Sequence, residues 1–423
     1  MGRKLRTIFM RNDMIRSLVH LKGNAKTLIL IEPLCGVPLY LIAPFVTWYM
    51  YELGVNDMQI GILVSIATVT QFAFAAFAGV ICDKLGRKRT TMLGDFLGWT
   101  IPCVIWALSQ NVWFFLAAMV LNSLEQVNQT AWNCLLIEDA DRSETVNIYT
   151  WVSVAGLVSV FFVPISGLLI LHFSSVVPLM RGLYLFFACS MAVKSLITRR
   201  YTRETTQGRI RIEETKGVST LSLLKEYRYL IPVFWRNTML RKALLFIVLI
   251  NIASMVNGNF FSLYVIGTLG ISEQYLALFP IIRSVLMMLF MFFLLPRLSA
   301  LRMQIPVGTG LVLYIGAQIL LIFCPPHHLW LLVLYTIAEA VALALVMPRR
   351  DTMVVIFTDE KERARTVSLL GAVTLLISAP FGSLIGLLSA VDRRYPFAFS
   401  IILYVLSLIV VLHMKEEKPT VSE

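Results

Sequence analysis

The sequence predicts an all-α membrane protein with twelve transmembrane helices, arranged as two pseudo-symmetric six-helix bundles. The first observation behind this fold class is composition. Of the 423 residues, 58% are hydrophobic and only 15% are charged, whereas a soluble domain carries about 25% charged residues. The second observation is that long apolar runs recur from one end of the chain to the other. The chain has too little polar surface for a water-soluble globule, and so we expect a multi-pass membrane protein.

Each apolar run is about 20 residues long, which is enough to cross a bilayer as a helix. Because a bilayer cannot hydrogen-bond free backbone groups, continuous runs predict helices, and they lack the alternating pattern of a membrane barrel. The predicted spans are 27–50, 59–82, 90–109, 112–136, 148–171, 177–198, 242–266, 275–296, 304–324, 329–348, 366–390 and 396–413.

The longest polar segment lies between the sixth and seventh spans and divides the spans into two sets of six. The chain is therefore predicted to contain a cytoplasmic amphipathic N-terminal segment, an N-terminal bundle, a cytoplasmic central loop, a C-terminal bundle and a cytoplasmic tail. Their ranges are 1–26, 27–198, 199–241, 242–413 and 414–423. In the central loop we expect a surface helix near 219–240.

Matching positions in the two sets of spans indicate an internal duplication. Pro164 and Pro380 are 216 residues apart, and Glu125 and Glu339 are 214 residues apart. Two repeats related by an axis along the membrane normal are a known transporter design, with the substrate site near the bilayer midplane.

Lysine and arginine residues are distributed unequally between the two sides of the predicted membrane. The segments on the side of the N-terminus contain 33 of the 37, and the opposite side contains three. Because cytoplasmic loops carry the excess of bases, both termini are predicted in the cytoplasm and the protein in the cell (plasma) membrane. The net charge of +12 belongs to these loops, and we expect no nucleic-acid partner.

The six cysteines show no metal-binding spacing. We therefore expect small buried side chains rather than disulfides, no bound metal and no cofactor. The sequence carries no signal for oligomerisation, and so a monomer is expected.

A charged loop between the second and third spans contains the most specific motif. This motif is Gly79-x-x-x-Asp83-Lys84-x-Gly86-Arg87-Lys88, and Glu138-Asp139-x-x-Arg142 follows the fourth span. Both resemble the corresponding loop motif and acidic-basic cluster of the major facilitator superfamily, which usually has Arg where this chain has Lys84. The resemblance covers the whole topology.

The resemblance implies a transporter that works by alternating access, with this loop stabilising one conformation. It also implies that Asp83 faces the cytoplasmic start of the eleventh span and that Arg87 pairs with Glu138 or Asp139. We call this set of residues the conformational lock. Its members are Gly79, Asp83, Lys84, Gly86, Arg87, Lys88, Glu138, Asp139 and Arg142.

Glu125, near the middle of the fourth span, is the first candidate for transport chemistry, because a carboxylate at this depth is costly. Asn122, Glu125, Gln129 and Trp132 recur at helical spacing, which predicts a polar stripe facing a wet cavity. Burial favours the protonated form of a carboxyl group, and so Glu125 suits a proton carrier. The alternative is a structural acid paired with a neighbouring helix.

Three residues of the second half complete the predicted substrate and proton pathway. Glu339, in the tenth span, is either a proton carrier or a member of an ion pair. Arg283, in the eighth span, is either the counter-charge of Glu339 or Glu125, or a ligand for an anionic substrate. Asn257, in the seventh span, offers an amide to a polar ligand or to another helix.

Two further acids, Glu32 and Asp95, lie near the predicted cytoplasmic ends of the first and third spans. We expect them to form gate salt bridges with nearby bases rather than to bind substrate.

These observations predict a secondary active transporter of a small molecule, coupled to protons through Glu125 or Glu339, and not an enzyme. The 26 Phe and 18 Met residues favour efflux of amphipathic compounds, of the drug/proton antiport type. One alternative is a proton-coupled uptake symporter of a small polar solute. Another, from a different class, is a membrane sensor that binds a ligand without moving it.

Overall fold

The computed structural model describes residues 21, 23–140, 144–173, 175–217, 238–293, 302–356 and 363–414. Every regular element within these ranges is a helix. Eleven helical segments of the described chain are apolar and long enough to cross a membrane. They correspond to all the predicted spans except the fourth. The all-helical fold class is confirmed, and the count is one short of the predicted twelve.

Several spans of the first half are built from more than one helix. Proline lacks a backbone N–H group, and two of the divisions in the first span lie beside Pro33 and Pro44. The helices of this half are Gly23–Ile31, Pro33–Ile42, Val46–Glu52, Asp57–Leu85, Arg87–Asp95, Ile101–Leu108, Val112–Asn122, Glu125–Ile137, Thr145–Val160, Val163–Ile170 and Val176–Tyr201.

The second half contains longer uninterrupted helices. Its helices are Thr238–Gly267, Leu278–Phe293, Gln304–Ile322, Leu329–Ile356, Arg363–Val391 and Tyr395–Leu412, and a 3-10 turn, Glu273–Ala277, opens the eighth span.

The fourth span differs from the single continuous helix that its apolar run predicts. Its two helices are separated at Ser123 and Leu124. The N–H group of Leu124 bonds the carbonyl oxygen of Leu121, three residues back, which keeps the backbone paired through the break. Glu125 therefore begins a helix instead of lying in the middle of one.

The third span is also irregular, and its irregular turn lies against the break in the fourth. Phe96–Thr100 form a π-helical turn, a feature often found at functional sites. The side-chain amide of Asn122 donates to the carbonyl oxygen of Gly98 at 2.8 Å. A Cβ atom at Gly98 would lie only 3.4 Å from the backbone nitrogen of Glu125, so the two irregular segments pack closely.

The described part of the central loop contains a short helix, Thr206–Glu214, which the sequence did not predict. Thr205 caps it by accepting the N–H of Gly208 at 2.9 Å. The surface helix expected near 219–240 falls almost entirely outside the described residues, as do most of segment 1–26 and Arg142.

The chain forms two compact units. One consists of Met1–Ala43, Ala73–Ser166 and Pro178–Leu224, and the other of Pro44–Phe72, Gly167–Val177 and Lys225–Glu423. The first unit contains the conformational lock and Glu125, and the second contains Arg283 and Glu339. The domain boundaries at 27–198 and 242–413 stay a prediction.

Candidate functional site

Arg87 lies at the centre of the conformational lock in the first unit. Its side chain is only 6% exposed. Nη1 is 2.9 Å from Asp83 Oδ1, and Nε is 3.1 Å from both carboxylate oxygens of Glu138. Gly86 has a φ of 85°, which only glycine adopts without strain. This residue turns the chain so that Arg87 can reach back to Asp83.

Glu204, which sequence reasoning did not select, completes this cluster. Its Oε1 accepts the backbone N–H of Arg87 at 2.9 Å, and its Oε2 accepts that of Lys88 at 3.0 Å. These two groups begin the third span, so the carboxylate occupies the positive end of a helix dipole. A Cβ atom at Gly86 would lie 2.5 Å from Glu204 Oε2, which is a second reason for glycine there.

The central-loop helix is joined to the same cluster. Thr205 Oγ1 donates to Glu138 Oε2 at 2.5 Å, and the N–H of Thr206 donates to Asp139 Oδ1 at 3.1 Å. Arg211 Nε lies 3.6 Å from Asp83 Oδ2. The hydrogen bond to Glu214 and the charge of Asp83 raise the pKa of Arg211. Both acids predicted at the end of the fourth span therefore contact this cluster.

The other members of the conformational lock have simpler surroundings. Lys88 Nζ donates to the carbonyl oxygen of Thr202 at 2.8 Å. Gly79 and Lys84 lie on the last turns of the second span's helix. The contact of Asp83 with the start of the eleventh span stays a prediction, because side chains 363–368 lie outside the described residues.

The predicted polar stripe of the fourth span is divided by the break. Glu125 is partly exposed and Gln129 is exposed, and the described residues place no hydrogen bond or ion pair on the Glu125 carboxylate. Asn122 instead faces the third span, accepting Trp106 Nε1–H at 3.1 Å as well as binding Gly98. Asn122 thus bonds the third span, whereas Glu125 and Gln129 are at least partly exposed and their side chains make no hydrogen bond among the described residues.

Of the two acids predicted to form gate salt bridges, Glu32 pairs with a base, whereas Asp95 forms no ion pair among the described residues. Lys194 Nζ is 3.2 Å from Glu32 Oε2, and the lysine side chain is 5% exposed. Asp95 is fully buried and accepts a hydrogen bond from Asn128 Nδ2 at 2.9 Å. Lys194 therefore lies within the sixth span, although it was counted with the cytoplasmic bases.

In the second unit, the three predicted pathway residues come together. Arg283 Nη2 is 2.5 Å from Glu339 Oε2, and Asn257 Nδ2 donates to Glu339 Oε1 at 3.2 Å. The Glu339 side chain is 6% exposed and that of Arg283 is 35% exposed. The Arg283 side chain is thus more exposed than the carboxylate with which it pairs.

Gln318 and Tyr335 also belong to this cluster, and the sequence analysis missed both. Gln318 Nε2 and Tyr335 OH donate to Asn257 Oδ1 at 3.3 and 3.4 Å. Gln318 is an amide inside an otherwise apolar run, and this signal was available in the sequence. Tyr335 carried no such signal, because tyrosine is common in membrane helices.

A separate charged contact in the second unit joins residues from both halves of the sequence. Arg393 Nε and Nη2 donate to Asp57 Oδ2 and Oδ1 at 2.9 and 3.0 Å, and Ser389 Oγ donates to Oδ2 at 2.6 Å. Burial opposes the charge of Arg393, but the hydrogen bonds and charge of Asp57 raise its pKa. About two turns further along the helix that Asp57 begins, Ser65 Oγ accepts the N–H of Ser383 at 2.7 Å.

Comparison with known families decides the identity of the chain. The model of the Major Facilitator Superfamily matches residues 34–308 and 305–423. The chain belongs to the Major Facilitator Superfamily. The predicted family is confirmed, and with it a multi-pass membrane protein of the transporter class rather than an enzyme.

Curated superfamily relatives match part of the chain at low identity. Multidrug resistance protein MdtG of Yersinia enterocolitica is 27% identical over 207 residues, which are 48% of this chain and 49% of that protein. MdtG of Escherichia coli is 29% identical over 139 residues, which are 32% of this chain and 34% of that protein. The matches therefore span about half the length of these relatives or less.

Solved superfamily structures match nearly the whole chain. The nucleoside transporter NupG has a TM-score of 0.69 at 15% identity, covering 92% of this chain and 98% of its own. The human organic anion transporter MFSD10 has a TM-score of 0.61 at 15% identity, covering 94% and 99%. At these identities the likeness shows the Major Facilitator Superfamily fold alone.

Proposed function

We propose that this chain is a secondary active transporter that exports small amphipathic molecules in exchange for protons, and that it acts as a monomer. The observation that carries the proposal is Glu125. It is a carboxylate in the middle of a membrane span, partly exposed, at a helix break, and without a hydrogen bond or ion pair among the described residues. The name of the relatives, multidrug resistance protein, supports export of drugs.

An open carboxylate of this kind couples two ligands by competition. A cationic amphipathic substrate binds the ionised group, and a proton removes the charge that attracts the cation. Each ligand therefore displaces the other at Glu125. When the site is exposed alternately to the two sides of the membrane, this competition produces exchange rather than cotransport.

Glu339 supplies a second protonatable group in this proposal. Protonation would remove the negative charge of Glu339, whose Oε2 lies 2.5 Å from Arg283 Nη2. The guanidinium would then be released from the ion pair. The second unit would then respond to protons through the Arg283–Glu339 pair, while the first unit binds substrate beside Glu125.

The Glu125→Gln variant tests the export proposal. In proteoliposomes, we expect it to abolish transport of a lipophilic cation such as tetraphenylphosphonium driven by a pH gradient. Binding of the probe to the wild type should weaken as the pH falls, and binding to the variant should be weak and independent of pH. Gln129→Ala, one turn away and also exposed, is the matched control and should retain the pH dependence. Unchanged proton-driven flux in Glu125→Gln would refute the role of Glu125.

Proton-coupled uptake of a small polar solute is the second candidate function. It is favoured by the Arg283 side chain, which is 35% exposed, and by the amide of Asn257 in the same cluster, since both can donate to a polar or anionic ligand. A ligand screen by thermal shift at two pH values separates the candidates. Stabilisation that increases at acidic pH indicates symport, and stabilisation that decreases indicates exchange.

A further inference from the structure

Asp95 and Asn128 form a buried pair in which one oxygen of each side chain is unused. Asp95 is 0% exposed and Asn128 is 7% exposed. Asn128 Nδ2 donates to Asp95 Oδ1 at 2.9 Å. Asp95 Oδ2 and Asn128 Oδ1 are buried and have no hydrogen-bond partner among the described residues. Both orphan atoms are acceptors when the carboxyl group is ionised, so neither can satisfy the other.

Close packing between the third and fourth spans holds these two side chains together. A Cβ atom at Gly94 would lie 2.6 Å from Asn128 Cβ and 2.8 Å from Asn128 Oδ1. Any larger residue at position 94 would displace the amide. Glycine at position 94 therefore allows the pair to form, because it leaves room for the Asn128 amide beside the backbone next to Asp95.

The nearest base is already engaged by another acid. Lys194, on the sixth span, has its Nζ 3.2 Å from Glu32 Oε2 of the first span. Ser195 Oγ donates to the carbonyl oxygen of Met92 at 3.0 Å, which fixes the sixth span against the third. The charge of Lys194 also acts on Asp95, but no ion pair joins the two side chains in the described part of the chain.

The charge balance around Asp95 therefore favours a neutral carboxyl group. The titratable groups that face this region are Glu32 and Cys35 on the first span, Glu125 on the fourth and Lys194 on the sixth. Three carboxyl groups, those of Glu32, Asp95 and Glu125, therefore share one lysine, and a protonated Cys35 thiol adds no charge. Burying an ionised carboxylate without its own cation is strongly unfavourable.

We propose that Asp95 and Asn128 are a proton-binding site, in which Asp95 Oδ2 carries a proton and donates it to Asn128 Oδ1. The carboxyl group and the amide would then exchange two hydrogen bonds, and both orphan oxygens would be paired. A metal cation fits less well, because hard cations take six or more oxygen ligands and only these two orphan oxygens occur at the pair among the described residues. The charge of Lys194 also opposes a second cation.

The position of this site suggests how it serves transport. Asp95 directly precedes the π-helical turn, and Asn128 follows Glu125 by one helical turn. A change in protonation at Asp95 would therefore act on the two irregular segments that position Glu125. This role in coupling rests on the proposed function, whereas occupancy of the site by a proton does not.

Infrared spectroscopy of the full-length protein in lipid nanodiscs tests the site directly. A protonated carboxyl group has its own C=O stretching band, which shifts in D₂O. At neutral pH we expect this band in the wild type and its loss in Asp95→Asn, which has nearly the same shape as the protonated acid and should fold. Asn128→Ala should retain the band but shift its frequency, since the acceptor is removed, and Gly94→Ala should shift it as well. Glu125→Gln is the matched control and should retain the contribution of Asp95.

Identical spectra of the wild type and Asp95→Asn at neutral pH would overturn the proposal, as would loss of the band on adding Na⁺, which would indicate a cation site. Flux measurements on the same samples separate this inference from the proposed function. If the band depends on Asp95 but no proton-driven export occurs, the proton site stands and the export proposal fails. If proton-driven export occurs and no such band exists, the export proposal stands and the proton site at Asp95 is refuted.

Discussion

At the scale of single residues, the two partners of the Arg283–Glu339 pair differ in how far they are exposed. Glu339 is buried and depends on Arg283 and Asn257 for its two oxygens, whereas Arg283 retains an exposed side. Removing one partner of a buried pair leaves an uncompensated charge, and that cost exceeds the value of the pair itself. The cost should therefore depend on which partner is removed.

We predict that Arg283→Gln destabilises the protein more than Glu339→Gln does. Without the guanidinium, the buried Glu339 carboxylate has no opposite charge beside it. We expect a loss of about 3 kcal/mol, and a smaller loss in Glu339→Gln, because the Arg283 side chain is 35% exposed and the Glu339 side chain only 6%. Unfolding in detergent measures both losses. The double variant should resemble Glu339→Gln, and a double variant that loses the sum of the two single effects would contradict the pairing.

Sequence reasoning reached part of this arrangement because charges inside apolar spans are few. Arg283 had only Glu339 and Glu125 as plausible partners, and the structure pairs it with Glu339. The same reasoning assigned Glu32 and Asp95 to salt bridges with nearby bases. Glu32 does pair with Lys194, whereas Asp95 binds an amide. The depth of a charge near a span end depends on helix length, and apolar runs define those ends only within a few residues.

At the scale of elements, the start of the third span depends on a residue far along the chain. The first N–H groups of a helix have no partner within it, and here Glu204 accepts two of them across a separation of 117 residues. The central loop is thus more than a connection between the two halves, because its first residues fix the geometry around Arg87.

We predict that Glu204→Ala lowers stability by about 1–2 kcal/mol, as loss of a helix cap does. It should also accelerate proteolysis in the helix Thr206–Glu214. Glu204→Gln retains one acceptor oxygen and should lose less. Limited proteolysis and thermal unfolding of the purified protein measure both effects. Glu213→Ala, an exposed substitution on the same helix, is the control. Equal losses in Glu204→Ala and Glu213→Ala would show that the cap is unimportant.

The two irregular turns that the sequence did not predict support each other. The break in the fourth span has no proline or glycine beside it. The π turn in the third contains Gly98 and precedes Pro102. Proline has no N–H to donate to the carbonyl oxygen four residues back, and here Asn122 Nδ2 donates to the carbonyl oxygen of Gly98. Such tertiary contacts have no signature in a single helix. The long helices of the second half follow their apolar runs closely, although Pro348 and Pro380 each remove one backbone hydrogen bond from the helix that contains them.

At the scale of the whole molecule, the Asp57–Arg393 contact links spans that are far apart in the sequence. Asp57 begins the second span and Arg393 follows the eleventh, so the contact joins the two sequence halves inside the second unit. Near it, Cβ atoms at Gly61 and Gly386 would collide with the backbone of the opposite helix. In the alternating-access cycle that we propose, these helix ends must separate once per turnover.

We therefore predict that Asp57→Asn favours the state in which these ends are apart. Asparagine keeps one acceptor oxygen, so the variant loses about one charge-assisted hydrogen bond, worth about 1.5 kcal/mol, and about 1.4 kcal/mol corresponds to a tenfold change in an equilibrium. A cysteine introduced as Ser65→Cys, at the close contact with Ser383, should then react about tenfold faster with a membrane-impermeant thiol reagent, as followed by mass spectrometry. Asp392→Asn is the control, because among the described residues the Asp392 carboxylate accepts a hydrogen bond from the nearby N–H of Arg394 alone. If Asp57→Asn and Asp392→Asn label at the same rate, the contact does not control access from that side.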